Sequence, residues 1–193
     1  MRVVSGRLRG RHLSAPARSG TRPTSDRVRE ALFSHLEARL SGLEDLRVLD
    51  AFAGTGALGI EAISRGAASC LFIESDRATA EVARSNFEHC GLTEEAARLR
   101  VGNSFVLAGR IAREGPFDLI LLDPPYATPP AEVLRFVDAL SEAGALGPEA
   151  YLVYEHQRDR PIDWPGWYHG QHTARYGKTW LSCAFSGEEH RRV

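Results

Sequence analysis

Thiols are scarce in this chain, and their spacing excludes more than their number. The three cysteines, Cys70, Cys90 and Cys183, lie far apart and never form a C-x-x-C pair, so neither a disulfide framework nor a zinc site is indicated and each reads as a small buried or half-buried thiol. No metal is expected. The one close histidine pair, His169 and His172, has no acid or thiol beside it in sequence and reads as an ordinary surface pair, because a metal centre needs three or four ligands. There is no internal repeat, no apolar run of membrane-spanning length, and no apolar stretch in the opening residues, which excludes a membrane span and a secretory signal there and makes a cytoplasmic protein the expectation. An apolar fraction of 43% and a charged fraction of 25% over 193 residues suit one ordinary globular core.

Net charge is only −1, but it is unevenly spread. Residues 1–29 hold eight arginines (Arg2, Arg7, Arg9, Arg11, Arg18, Arg22, Arg27 and Arg29) against one acid, Asp26, a net of +7. A basic segment on an acidic body suits contact with a phosphate backbone, since arginine offers a fixed charge and a bidentate fork. Arg7, Arg9, Arg11, Arg22 and Arg27 are the expected nucleic-acid contacts; a solvated surface arm is the plain alternative.

Residues 2–5 and 11–14 read as a short hairpin around Gly6 to Gly10, followed by a Pro/Ser/Gly/Thr linker from Pro16 to Pro23. Thr24 or Ser25 then caps a helix with Val28, Leu32, Phe33, Leu36 and Leu40 on one stripe, ended by Gly42. From Leu46 the pattern becomes strand, loop, helix, repeated. Predicted strands are 47–52, 69–74, 97–101, 117–123 and 151–155; predicted helices are 57–64, 77–90, 105–113 and 131–142. Short apolar runs alternating with helices mean a parallel sheet covered on both faces, with right-handed crossovers making it doubly wound. Two last strands, near 167–172 and 179–185, are expected to pair antiparallel. The expected organisation is a basic hairpin and linker (1–24), an α/β domain (25–187) and a frayed tail (188–193), the whole a monomer.

In such a sheet, ligands bind outside the carboxyl ends of the strands. The predicted strand ends are Asp50, Glu74, Asn103 and Asp123, and three carboxylates at one rim repel one another unless something positive sits among them. The loop Gly54-Thr55-Gly56-Ala57-Leu58-Gly59, with Glu74 twenty residues past Gly54, matches a dinucleotide fingerprint. A pyrophosphate, however, is ill served by Asp50 at that loop. S-adenosylmethionine carries an ammonium and a sulfonium and no phosphate, so an acidic strand end suits it better. On this reading Ala53, Gly54 and Gly56 approach the methionine moiety, Asp50 holds that end, Glu74 accepts both ribose hydroxyls, and Asn103 meets the adenine edge, with Ser75 and Ser104 flanking.

The sharper motif is Asp123-Pro124-Pro125-Tyr126. Two prolines fix φ and remove two backbone donors, leaving a stiff element that presents the Asp123 carboxylate and the Pro124 carbonyl as acceptors. An exocyclic amine on a base is a poor nucleophile because its lone pair is delocalised. Two acceptors binding its two hydrogens favour pyramidal nitrogen and aim the lone pair at a methyl donor, while Tyr126 offers a ring for stacking. The base must be unpaired or flipped out.

These residues resemble the RsmD family of 16S ribosomal RNA guanine-N2 methyltransferases. Thr21 to Phe33 (TRPTSDRVREALF) is similar to that family's N-terminal signature. Leu49 to Gly59, with Glu61-Ala62 and Ser64 to Ala67, is similar to its cofactor segment. Asp123 to Tyr126 matches its catalytic tetrapeptide, and Tyr176 to Thr179 resembles its entry to the C-terminal strand. The resemblance implies a Rossmann-like class I methyltransferase fold with a seven-stranded, mostly parallel sheet, S-adenosylmethionine as donor, and a guanine presented by 16S ribosomal RNA within a partly assembled small subunit. Rival readings are a methyltransferase acting on adenine N6 in DNA or on protein glutamine, a non-catalytic RNA-binding assembly factor, and a nicotinamide-dependent oxidoreductase. The intact Asp123 to Tyr126 element counts against the last two.

Overall fold

A computed structural model describes residues 1–15, 26–177 and 179–187. The chain runs α1 (Asp26–Leu40), β1 (Arg47–Asp50), α2 (Ala57–Ser64), β2 (Ser69–Glu74), α3 (Arg77–Cys90), β3 (Ala97–Val101), α4 (Ser104–Ile111), β4 (Phe117–Leu122), α5 (Pro130–Glu142), β5 (Leu146–His156), β6 (Tyr168–Tyr176) and β7 (Thr179–Ser186). One seven-stranded sheet has the order β3-β2-β1-β4-β5-β7-β6. The first five of these are mutually parallel, and β7 runs antiparallel to both β5 and β6. This is the doubly wound sheet the alternating pattern predicted, with its antiparallel end.

The continuous apolar runs are explained by two cores. Alternate residues of each central strand point to opposite faces. Val48, Leu119 and Leu121 join Leu32, Phe33, Leu36, Ile60 and Phe87 on the α1–α2–α3 face. Leu49, Ile120 and Leu122 join Ile111, Val133, Phe136 and Leu140 on the α4–α5 face. Leu32, Phe33 and Leu36 are almost wholly buried, each worth about 1.5–3 kcal/mol of burial. Cys70, Cys90 and Cys183 are buried thiols, as expected. No helix among the described residues is long and apolar enough to cross a membrane.

The main departures are at element ends. β5 starts five residues before the predicted Tyr151, because Leu146 pairs with Phe117 ahead of a register shift. α4 gives way to a tighter turn, Ala112–Glu114, rather than continuing to Arg113.

The hairpin exists as one bridge, Arg2 to His12, with Val3 N donating to Arg11 O and Leu13 N to Met1 O, each at 2.9 Å. It is also built into the main core, since Val3, Leu8 and Leu13 are buried there. Its polar seam is the wholly buried Glu61 of α2. That carboxylate accepts from Val4 N at 2.8 Å, Ser5 N at 2.9 Å and Arg65 Nε at 2.8 Å, with Arg29 Nε at 3.5 Å. Arg29 is thus a correction to the basic face counted above. Its side chain has no exposure, and it donates to Arg2 O and to Asp26 Oδ1, which leaves no guanidinium for a phosphate. The Pro16 to Pro23 linker, the Thr24 or Ser25 cap, Arg18, Arg22, Lys178 and the 188–193 tail lie outside the described residues.

Candidate active site

β1 sits between β2 and β4, whose connections leave on opposite faces, so the crevice expected of a doubly wound sheet opens beyond Asp50. Asp50, Ala53, Gly54, Gly56, Glu74 and Asp123 meet at this rim. Asp50 ends β1 and is 1% exposed. Its Oδ2 accepts from Gly59 N at 3.0 Å, so a strand carboxylate caps the first turn of α2, whose own N-cap, Gly56, supplies no side chain. The other oxygen, Oδ1, is buried with no hydrogen-bond partner among the described residues. Burial, helped by the Glu74 charge and opposed by the Gly59 amide, raises the Asp50 pKa to about 7.

Two glycines of the loop do different work. Gly54 sits at φ +54, and a Cβ built there would meet nothing within 4 Å, so its backbone lines open space. Gly59 serves packing: an added Cβ would lie 2.2 Å from Phe72 Cε1 and 2.6 Å from Cys70 Sγ. Ala53 N donates to Ile73 O, and Glu74 holds the loop from β2, with Oε2 accepting from Gly54 N at 2.8 Å and Oε1 from Asp76 N at 2.7 Å. Oε2 keeps a further acceptor position, whereas Oε1 also accepts from the Ser75 hydroxyl. Ser75 is exposed, its hydroxyl 3.4 Å from Glu74 Oε1.

Asn103 stands two residues past β3 and caps α4, Oδ1 accepting from Phe105 N at 2.9 Å; its amide group remains a donor at the rim. Ser104 is buried and donates to Ala51 O, fixing α4 against the end of β1.

Asp123 follows β4. Burial and the nearby Glu155 and Asp50 charges push its carboxyl well above the usual range. Pro124 is buried, whereas Tyr126 is 51% exposed, as a stacking platform must be. Pro124, Pro125 and Tyr126 line a small, open cleft together with Tyr154, Glu155 and His156 of β5 and with Arg160.

Two residues here were not singled out from sequence. Glu155, 8% exposed, is a fourth rim carboxylate; it closes the apolar run 151–154 just as Asp50 and Asp123 close theirs, and that signal was available. Asn86 of α3 had none. Buried, it accepts from Ser14 N at 2.8 Å and donates to Ser14 O at 3.2 Å and to Thr55 O at 3.0 Å, tying the end of the hairpin to the glycine loop.

The expected nucleic-acid contacts lie elsewhere. Arg7, Arg9, Arg11 and Arg27 are exposed. Arg7 N donates to Ser64 O and Arg11 Nη1 to His89 O, placing the hairpin arginines against the C-terminal ends of α2 and α3. His169 and His172 are exposed on β6, stacked on Phe185 and His35 respectively. Among the described residues no group of three or more His, Cys, Asp or Glu could hold a metal ion.

The family model "Conserved hypothetical protein 95" matches residues 1–184. The chain belongs to this family. Its relatives include ribosomal RNA small subunit methyltransferase D of Escherichia coli K12, 36% identical over 169 residues that make up 85% of this chain and 81% of that one. The protein of the same name from Haemophilus influenzae is 33% identical over 165 residues, 86% and 83% of the two chains. A solved structure of a hypothetical protein from Thermus thermophilus superposes with a TM-score of 0.78 at 29% identity, covering 95% of this chain and 98% of its own. The family resemblance read from the motifs therefore holds over nearly the whole chain, hairpin included, and the fold is that of a class I methyltransferase.

Proposed function

We propose that this chain methylates the exocyclic N2 of a guanine in 16S ribosomal RNA, presented within a partly assembled small subunit. The supporting observation is the Asp123-Pro124 acceptor pair, with Tyr126 exposed beside it, adjoining a rim where buried Asp50 Oδ1 has no hydrogen-bond partner among the described residues. That rim fits a cation. Its methyl donor is S-adenosylmethionine, which supplies an electrophilic methyl on a positive sulfonium. Asp50 and the Gly54 to Gly56 backbone hold the methionine end, Glu74 meets the ribose with the acceptor position that Oε2 keeps, and Asn103 offers its amide to the adenine.

Tyr126 stacks the flipped base, and Asp123 and the Pro124 carbonyl bind the two amino hydrogens, aiming the nitrogen lone pair at the methyl. With the donor bound, its sulfonium would supply the methyl, and the Asp123 carboxylate would take the proton that the amino nitrogen gives up and pass it to solvent. A carboxyl with a raised pKa suits that task. The dinucleotide alternative is disfavoured because the α2 amide of Gly59 is already taken by a buried carboxylate.

The test is Asp123→Asn, assayed on small-subunit particles from a strain lacking this enzyme, with nucleosides resolved by mass spectrometry. We expect turnover to fall about 10³-fold and calorimetric affinity for S-adenosylmethionine to stay within about threefold. Unchanged turnover, or a methyl on another base atom, would overturn the reading.

A further inference from the structure

Methyl transfer as described brings an RNA, a polyanion, to a rim that gathers four carboxylates. Like charges repel, so a backbone phosphate settles near that rim only where a cation meets it. The hairpin arginines are placed elsewhere, against the C-terminal ends of α2 and α3, helices whose other ends start at the rim. We propose that Arg160, in the turn that follows β5, binds a backbone phosphate of the nucleotide whose base stacks on Tyr126. The proposal rests on the ribosomal RNA reading above and adds an anchor for the sugar-phosphate chain.

Three observations carry it. Arg160 lines the same cleft as Pro125, Tyr126 and Thr128, so one recess offers an exposed ring for a base and a guanidinium fork for a phosphate. The turn that carries it is fastened to the sheet. Gln157 O accepts from Arg160 N at 3.0 Å and lies 2.6 Å from His156 Nδ1, while His156 Nε2 lies 2.8 Å from Ser182 Oγ of β7. A carbonyl only accepts, so Nδ1 carries the ring proton. Burial lowers the His156 pKa against the pull of the Gln157 bond, which leaves Arg160 as the cation of the cleft. Lastly, Arg160 is half-buried and forms no ion pair among the described residues. Its charge reaches inward to Tyr154, whose phenol is pushed up by burial and drawn down by Arg160.

The other anion that the reading brings to the site is the carboxylate of S-adenosylmethionine. That group belongs with the glycine loop at the end of β1, and β4 stands between β1 and β5. Arg158 supplies an internal control, since it is exposed on the same turn and does not line the cleft.

The experiment takes small-subunit particles from a strain lacking this enzyme and compares wild type with Arg160→Ala, Arg160→Lys and Arg158→Ala. Filter binding over a range of salt concentrations reads the phosphate contact, and methylation kinetics read its consequence. Arg160→Ala should lower kcat/KM about 10- to 10²-fold, mostly through KM, as loss of one charge-assisted bond does. The salt slope of binding should become shallower by about 0.7, the value for one phosphate of an unpaired strand. Arg160→Lys should restore that slope, and Arg158→Ala should change kcat/KM by less than about twofold. Calorimetric affinity for S-adenosylmethionine should be unchanged in all three. An unaltered slope in Arg160→Ala, or one that lysine does not restore, removes the phosphate contact. An equal loss in Arg158→Ala leaves only diffuse attraction, and weakened donor binding hands the guanidinium to the donor's carboxylate; either result overturns the proposal. Should the slopes come out as expected while the wild type yields no N2-methylated guanine, the guanine reading falls and the phosphate contact stands. Particles that the wild type does not bind overturn both.

Discussion

Two regions of this molecule bury carboxylates, and they treat them in opposite ways. At the hairpin, Glu61 is met by Arg29, Arg65 and two backbone amides, so the charge is balanced within the chain. At the strand ends, Asp50 is buried and Asp123 half-buried beside other acids, and among the described residues neither they nor Glu74 forms an ion pair with an arginine. The first arrangement holds a fold together. The second costs stability until something positive arrives, and its carboxyl pKa values rise in consequence.

The contrast can be broken by mutation. The largest effect is expected at the paired site: Glu61→Ala strands a buried guanidinium and two amides and should cost about 3–5 kcal/mol, read from the denaturant midpoint, whereas a shift under about 1 kcal/mol would remove the seam from the account. Asp50→Asn should behave in the reverse way. Because the folded pKa of Asp50 is about 7 against an ordinary 3.8, the stability linked to its protonated form is full below 3.8 and is lost as pH rises through 7. The cofactor-free wild type should therefore melt lower at pH 8 than at pH 5, and Asp50→Asn should raise the melting temperature at pH 8 and flatten that slope. Binding of S-adenosylmethionine, which favours the ionised acid, should tighten toward tenfold per unit as pH rises below 7; pH-independent binding would leave Asp50 without a role. The smallest effect is electrostatic and remote: replacing Arg7, Arg9 and Arg11 by Ala should lower the salt slope of RNA binding by about two to three units while sparing turnover at saturating RNA.

Architecture was legible because periodicity reports burial. The apolar runs 69–74 and 117–122 read as strands covered on both faces, which they are. The motif Asp123 to Tyr126 stood out by its two prolines, and the role proposed for it above rests on that reading. Arg29 was misread for a physical reason: charge counts along a chain carry no information on which guanidinium meets a buried acid, and its partner Glu61 sits 32 residues later. Asn86 was invisible for a similar reason, since one amide bridging Ser14 and Thr55 leaves no periodic trace. Glu155 was readable by the same strand-end rule that found Asp50 and was passed over at the fifth strand.

The position of β7 sets an order of events at synthesis. β6 leaves the ribosome first, yet its sheet neighbour is β7, which lies between it and β5, so β6 has no strand to pair with until β7 has followed it. The same late strand carries Thr179, the hydroxyl that orients Glu155. A nascent chain can thus hold its glycine loop and the Asp123-Pro124 element in place while the β5-β7-β6 end of its sheet is still incomplete.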